Sequence, residues 1–263
     1  MTTNLRSGIM VGRELVTTDP ARAAQFYCDL LGWSVDADTM AEHGFARLLR
    51  DTDGLLVGSV MPLGEAPSPR WLTWWGVADV DAAVATARDL GATVLDGPAD
   101  SPGIGRYAWL TDPAGAHVGL LAATPAAAGP GPELSPQVSF DELVTADPAR
   151  ATAFYVAILG WTALPMPTAS GLTYTLYLRA GAAPGDHPVA GMLPLMQGMP
   201  ESLWTPYVWV DDLDATRRRT VALGGNEISP VITIPRMGRL VWIADPTGAI
   251  VQLVEPDRSA GPR

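Results

Sequence analysis

Two glutamates, Glu14 and Glu142, occupy matching positions in two similar stretches of the chain. Each lies among apolar residues in a run typical of a β-strand, where glutamate is depleted. A carboxylate on an apolar surface is costly unless it is paired, so such groups are candidates for acid–base chemistry or ligand binding. A structural role, in which each carboxylate pairs with a polar neighbour, is equally open. We take both glutamates as the candidate catalytic residues.

The stretches around these glutamates show that the chain is a tandem repeat. Residues 14–33 return as residues 142–161, with fourteen of the twenty positions identical. Within the first copy, Asp19 suits a helix N-cap and Pro20 suits the first helical position. Gly32 suits the left-handed conformation that ends a helix. Each copy therefore predicts a strand, a capped helix and a defined stop.

The remaining sequence predicts the same order of elements throughout. Each repeat is predicted to contain two half-repeats, and each half-repeat consists of a strand, a helix and three strands. The predicted domains are residues 1–123 and 137–263. Residues 124–136 lie between them and are rich in Ala, Gly and Pro, as expected for a linker.

Composition limits the function classes. The 263 residues are 48% hydrophobic and 17% charged, which is typical of a globular protein. A net charge of −11 argues against nucleic acid as a partner, because binding would need basic groups to neutralise phosphates. The single cysteine indicates a reducing compartment, and no apolar run predicts a signal sequence or membrane span. We expect a cytoplasmic protein, either a monomer with an internal pseudo-dimer or a homodimer.

Three motifs, each present in both halves, carry a family resemblance. They are Asp-Pro-Ala-Arg-Ala-x-x-Phe-Tyr-x-x-x-Leu-Gly-Trp, Asp-x-Asp-Ala, and Asp-Pro-x-Gly before a final strand. The pattern resembles the vicinal oxygen chelate superfamily, which includes glyoxalase I, extradiol dioxygenases and bleomycin-resistance proteins, and in particular its tandem two-domain actinobacterial type. The resemblance implies an α+β fold with two tandem glyoxalase/bleomycin-resistance-type domains. Each would pair βαβββ modules whose curved mixed sheets surround a cleft.

The resemblance also implies where a divalent metal would bind. Three of the family's ligand positions can be carried onto each repeat, and only one of the six residues found there, Gln252, is a plausible ligand. We therefore expect no metal cofactor, with a divalent metal as the alternative. The six residues are Gly12, Leu72 and Gly119 in the first repeat, and Phe140, Thr205 and Gln252 in the second.

Other polar and aromatic residues fall on strands that the resemblance places around the clefts. His117 shares a strand face with Gly119, although a structural or surface role is the favoured interpretation of this residue. Apolar aromatic walls with a few polar groups suit a flat organic ligand, while any single tryptophan also fits a core. Arg106 and Arg239 are the matched candidates for pairing with the glutamates. The ligand-binding candidates are His117, Gln252, Trp74, Trp109, Trp242, Tyr207, Arg106 and Arg239.

Three functions fit these observations. The leading hypothesis is a protein that binds a small hydrophobic or aromatic molecule in its clefts and sequesters or transforms it without the usual metal. The second is a divalent-metal-dependent, glyoxalase-like lyase or isomerase, or a dioxygenase. The third is a structural or interaction protein whose clefts are filled by its own side chains. A fold by itself does not choose among them.

Overall fold

The computed structural model describes residues 7–36, 47–64, 68–123, 134–168, 171–183, 185–196 and 198–260. Most of the predicted linker lies outside them. The predicted order of a strand, a helix and three strands occurs four times, with one extra break in the fourth copy. The helices are α1 (Pro20–Leu31), α2 (Val80–Asp89), α3 (Pro148–Leu159) and α4 (Leu213–Ala222). None of the helices in these described segments is long and apolar enough to cross a membrane.

The strands form two mixed sheets of eight and nine strands. In each of the four strand-helix-three-strand modules, the first and last strands pair in parallel and the others pair antiparallel. The first three modules contribute four strands each, and the fourth contributes five. The first repeat contains β1 (Met10–Thr17), β2 (Ser34–Asp36), β3 (Arg47–Arg50), β4 (Leu56–Pro62), β5 (Arg70–Gly76), β6 (Thr93–Ser101), β7 (Gly105–Thr111) and β8 (His117–Ala123). The second contains β9 (Phe140–Thr145), β10 (Thr162–Pro167), β11 (Thr173–Leu178), β12 (Ala190–Pro194), β13 (Leu203–Trp209), β14 (Asn226–Glu227), β15 (Ile232–Ile234), β16 (Gly238–Ala244) and β17 (Ile250–Pro256).

The extra break lies at Pro230. The long strand β6 corresponds to β14 and β15 together, and Pro230 lies between those two short strands. β6 contains Pro98 and continues past it, with shifts in its register with β7.

Helix ends follow the sequence signals. The Asp19 side chain accepts a hydrogen bond from the Arg22 backbone N–H at 3.0 Å, and Pro20 begins the helix. Gly32 ends α1 with φ of 74°. α3 repeats this arrangement with Asp147, Pro148 and Gly160. Satisfying the free N–H groups of the first turn stabilises a helix by about 1 kcal/mol per cap, which explains why these positions are shared by the repeats.

The chain folds into two compact units, and each contains one half of each repeat. The first unit comprises Met1–Gly12, Leu72–Gly131 and Phe140–Trp204. The second comprises Arg13–Trp71, Pro132–Ser139 and Thr205–Arg263. The hydrophobic core of the first unit joins residues of α2, β7 and β8 to residues of α3 and β9. The core of the second joins α1 and β4 to β16 and β17.

A buried hydrogen-bonded chain crosses the core of the first unit. The Trp204 indole N–H donates to the Tyr155 hydroxyl at 2.9 Å, and that hydroxyl donates to the Asp112 carboxylate at 2.9 Å. Burial raises the pKa of Asp112, while hydrogen bonds from Ala116 and Tyr155 oppose the rise. Burial and the Asp112 charge together raise the pKa of Tyr155 well above its usual range. The tyrosine is therefore a neutral donor at every physiological pH.

The second unit has a matching arrangement. The Trp71 indole N–H donates to the Tyr27 hydroxyl at 3.0 Å, and burial followed by the Asp245 charge raises the pKa of Tyr27. Tyr27 and Tyr155 both come from the repeated Phe-Tyr of the helices, and Asp112 and Asp245 both begin an Asp-Pro-x-Gly turn. These repeated motif residues therefore have a structural role in the two hydrophobic cores.

Candidate functional site

Strand alternation separates the residues that pack in the core from those on the opposite face of the sheet. In β7, Ala108 and Leu110 belong to the core of the first unit, so Tyr107 and Trp109 point to the other side. In β8, Val118 and Leu120 belong to that core, so His117 and Gly119 lie on the opposite face. We call this opposite side of each sheet the cleft face. The predicted placement of His117 and Gly119 on one face agrees with it.

Four side chains of the first unit line the cleft face of β5, β7 and β8. The rings of Trp74 and Tyr107 meet edge-on with centroids 6.0 Å apart, and those of Trp109 and His117 do so at 5.6 Å. Trp74, Tyr107 and Trp109 are each partly exposed, and His117 retains 7% exposure. We call Trp74, Tyr107, Trp109 and His117 the aromatic wall. It offers accessible ring surface beside one titratable side chain.

The indole of Trp74 covers Gly119. Trp74 and Gly119 are direct partners in the parallel pairing of β5 and β8. A Cβ built on Gly119 would overlap the six-membered ring of Trp74, so only glycine fits under the indole in this position. The wall therefore depends on the absence of a side chain at residue 119.

The equivalent part of the second repeat lies in the second unit and is closed. Tyr207 and Trp242 flank Gln252 across neighbouring strands. The Gln252 side-chain amide donates to the Thr205 hydroxyl at 2.7 Å. Tyr207 is 3% exposed, Trp242 1%, and Gln252 and Thr205 0%. The same strand positions thus form an accessible aromatic surface in one repeat and a packed, hydrogen-bonded cluster in the other.

Glu14 lies on the cleft face of β1 in the second unit. It is 8% exposed, and its neighbour Leu15 points into the core. Its direct partner on β4 is Ser59, whose hydroxyl donates to the carboxylate at 3.2 Å. The serine hydroxyl therefore supplies one hydrogen bond to this buried carboxylate.

Glu142 lies on the cleft face of β9 in the first unit and is 1% exposed. Its direct partner on β12 is Gly191. A Cβ on Gly191 would overlap the Tyr174 hydroxyl and would lie 3.1 Å from the Phe140 ring. A phenol hydroxyl from β11 therefore occupies the space next to Glu142 that a side chain at 191 would fill.

The two predicted arginines lie on the helix side of their strands. The Arg106 guanidinium donates to Asp81 at the start of α2 and to Asp100. The Arg239 guanidinium donates to Asp214 at the start of α4 at 2.7 Å and to Glu255. These hydrogen bonds lower the pKa of both helix-terminal carboxyls. The structure thus gives both arginines partners other than the glutamates with which the sequence suggested pairing.

The chain matches the sequence profile of the glyoxalase-like domain family over residues 11–121 and again over residues 137–254. It belongs to this family. The two matched segments follow the two sequence repeats, so the glyoxalase-like domain occurs twice in tandem, as the motifs predicted.

Two relatives extend over nearly the whole chain. A putative glyoxylase, CFP32, from Mycobacterium tuberculosis is 35% identical over 248 residues, which cover 92% of this chain and 93% of the relative. The anthracycline biosynthesis protein DnrV from Streptomyces peucetius is 31% identical over 265 residues, covering 92% and 91%.

Solved structures share the fold at low sequence identity. BphC, a halotolerant catechol dioxygenase, is 16% identical with a TM-score of 0.59, and the match covers 99% of this chain and 92% of that one. The Mn(II)-bound glyoxalase of Novosphingobium aromaticivorans is also 16% identical, with a TM-score of 0.57 and coverage of 95% and 82%. Both likenesses concern the fold alone.

The residues found at the family's implied metal positions do not fit a divalent ion. In the first repeat, Gly119 lacks a ligand atom and its space is covered by Trp74. In the second, Phe140 has no ligand atom, so at most Thr205 and Gln252, which are hydrogen-bonded to each other at 2.7 Å, could supply oxygen ligands, fewer than a divalent ion needs. Across the described segments, no three or more His, Cys, Asp or Glu side chains are grouped to hold a metal.

Three residues of these sites were not identified from the sequence. Tyr107 could have been found by counting two positions back from Trp109 along β7. Ser59 and Tyr174 carry no such signal, because their contacts depend on the pairing register of strands that are distant in sequence.

Proposed function

We propose that this glyoxalase-like protein binds a flat, apolar organic molecule with aromatic character against the aromatic wall. The observation that carries the proposal is the indole of Trp74 lying over Gly119. Gly119 stands at a position where the family resemblance implies a metal ligand, and it is covered by the ring of Trp74, which remains partly exposed. Aromatic pairs contribute about 0.5–1.5 kcal/mol each beyond the area that they bury, so several rings suit a polycyclic ligand.

The neighbouring polar groups define what else the ligand would meet. His117 lies beside Trp109 and can donate or accept a hydrogen bond according to its protonation state. Independently of the aromatic wall, we propose that Glu14 and Glu142 each act as a polar anchor, or as an acid–base group if a ligand is transformed, on the cleft face of its own strand. In this proposal the protein binds without the family's usual metal, because four of the six implied ligand positions hold residues whose side chains have no ligand atom, namely Gly12, Leu72, Gly119 and Phe140.

The name of one relative supports the choice of ligand class. DnrV is named an anthracycline biosynthesis protein, and anthracyclines are polycyclic aromatic compounds. A hydroxyanthraquinone has the same flat ring system and is a suitable probe. We expect it to quench the fluorescence of the wall tryptophans on titration and to release heat in calorimetry.

Two glycine variants provide the sharpest test. Gly119→Ala places a methyl group where the Trp74 ring lies and should displace the indole, lowering probe affinity about tenfold. Gly12→Ala is the matched control, since a Cβ on Gly12 meets nothing within 4 Å. Trp74→Ala should weaken binding similarly. Unchanged affinity in both Gly119→Ala and Trp74→Ala would refute the wall as the site.

The alternative is a metal-dependent glyoxalase or dioxygenase, which the Mn(II)-bound glyoxalase of the same fold favours. Elemental analysis of the purified protein, followed by calorimetry with Mn(II) after chelator treatment, separates the two proposals. A stoichiometric divalent ion whose binding is lost in Gln252→Ala would support the alternative. We further propose a cytoplasmic location and either a monomer or a homodimer, to be tested by cell fractionation and light scattering.

A further inference from the structure

A carboxylate lies at the edge of the aromatic wall. Asp96 on β6 is the direct partner of Trp109 in the antiparallel pairing of β6 with β7. The Tyr107 hydroxyl donates a hydrogen bond to the Asp96 carboxylate at 3.1 Å. The carboxylate therefore lies on the same side of the sheet as the wall, at the hydroxyl end of one of its rings.

The Asp96 carboxylate is exposed and has no cationic partner. An aspartate in contact with water is ionised at neutral pH. Its two hydrogen-bond donors are the Gly97 backbone N–H, at 2.8 Å, and the Tyr107 hydroxyl, and both are neutral. The chain contains no lysine, and no arginine or histidine in the described segments forms an ion pair with Asp96. A carboxylate has about four lone-pair sites, so two remain for water or a ligand.

The rings next to Asp96 favour a positive charge as well. The face of an aromatic ring is negative, and it attracts a cation that lies within about 6 Å of the ring centroid. Direct partners on neighbouring strands have Cβ atoms about 4.5–5.5 Å apart, so a group bound to Asp96 lies close to Trp109. Tyr107 and Trp109 are both partly exposed. The rings and the carboxylate thus select the same sign of charge.

We infer, resting on the proposed function, that the aromatic wall selects a flat aromatic cation. Its ring system lies against Trp74 and Trp109, and its ammonium group lies at Asp96 next to Tyr107. An ammonium group donates a charge-assisted hydrogen bond to a carboxylate, which is about twice as strong as the bond from a neutral hydroxyl. A ligand carboxylate is repelled there, because an ionised carboxylate can only accept hydrogen bonds.

Three probes that share one ring system test the charge of the ligand. They are anthracenylmethylamine, anthracenylmethanol and anthracene carboxylate, all substituted on the central ring. Calorimetry at about pH 7.5, where the amine is protonated and an exposed aspartate is ionised, compares their affinities. The amine should bind about fivefold to tenfold more tightly than the alcohol, as expected for an exposed ion pair together with a cation–π contact, and the carboxylate should bind most weakly.

Two variants on β6 locate the selectivity. Asp96→Asn removes the charge and keeps an oxygen that can accept from Tyr107. It should abolish the preference for the amine and leave the affinity of the alcohol unchanged, which is an internal check on folding. Asp100→Asn is the matched control, because Asp100 is exposed on the same strand but pairs with Arg106 on the helix side. Both variants change the net charge of −11 equally, so only a local effect distinguishes them.

Four results would overturn the inference. Equal affinity for the three probes, or full affinity for the amine in Asp96→Asn, would refute it while leaving the wall as an aromatic site. Equal losses in Asp96→Asn and Asp100→Asn would mean that the overall charge of the protein attracts the amine, which also contradicts a role of Asp96. Binding by none of the three probes would refute the proposed function, and the inference with it.

Discussion

Replacing Tyr155 with phenylalanine should destabilise the first unit, because one hydroxyl joins two buried polar groups there. The hydroxyl accepts from Trp204 and donates to Asp112, both at 2.9 Å, and the Tyr155 side chain is completely buried. Phenylalanine keeps the ring and its packing, so only the hydrogen bonds change. Losing one bond to a neutral donor and one to a carboxylate should cost about 2–4 kcal/mol in the free energy of unfolding.

The assay is equilibrium urea unfolding followed by tryptophan fluorescence, supported by thermal unfolding. A loss of that size corresponds to a fall of about 4–16 °C in Tm for a chain of this length. Tyr27→Phe removes the hydroxyl that accepts a hydrogen bond from Trp71 in the second unit and should cost about 1 kcal/mol for that bond. Tyr107→Phe is the control, because its hydroxyl donates to Asp96 in an exposed position and should change stability by less than about 0.5 kcal/mol.

The reasoning fails if Tyr155→Phe is as mild as Tyr107→Phe. Such a result would mean that water or a repacked neighbour satisfies Trp204 and Asp112 once the hydroxyl is gone. Unfolding of the two units in separate transitions would be informative as well, since each variant should then shift only the transition of its own unit.

Three further outcomes follow from charges and burial. Burial raises the pKa of Asp112, so the folded chain binds the proton of this carboxyl more tightly than the unfolded chain does. The resulting stabilisation is fully present below the unfolded pKa of about 3.9 and is lost as pH rises through the raised pKa of the folded chain. Asp112→Asn should flatten that part of the stability–pH curve measured by urea unfolding. Asp81→Asn removes an exposed partner of Arg106 and should cause a small loss of stability that disappears in high salt. Burial raises the pKa of Cys28, so iodoacetamide should label it more slowly than a free thiol at neutral pH, and labelling as fast as free cysteine would contradict this.

The sequence predicted the local structure well because its signals are local. Asp19, Pro20 and Gly32 act on the backbone within a few residues, and the structure places them as the N-cap, first residue and C-cap of α1. Strand alternation likewise placed His117 and Gly119 on one face. The repeat of these signals was enough to predict four modules, each of a strand, a helix and three strands, and the tandem glyoxalase-like fold.

What the sequence could not supply depends on contacts between distant segments. Local sequence patterns do not show that a core combines one module from each repeat, because the apolar face of a helix does not specify which element it packs against. The side of β7 on which Arg106 lies follows from alternation, but its partner Asp81 could be found only once α2 was packed on the sheet. Tyr174 reaches Gly191 only through the register of β11 with β12.

The two repeats differ on the cleft face, where a ligand would meet them. They share the caps and the buried Asp–Tyr–Trp arrangements, which serve folding, and both retain the cleft-face glutamate. On the cleft face, however, Trp74 over Gly119 in one repeat corresponds to Tyr207 beside Gln252 in the other, where both residues are buried and Gln252 donates a hydrogen bond to Thr205. Two copies that bound the same molecule would be expected to keep the same surface. Their divergence instead indicates two chemically different faces on one chain. A flat aromatic probe should therefore saturate at one molecule per chain, and neither Gln252→Ala nor Tyr207→Phe should change that stoichiometry.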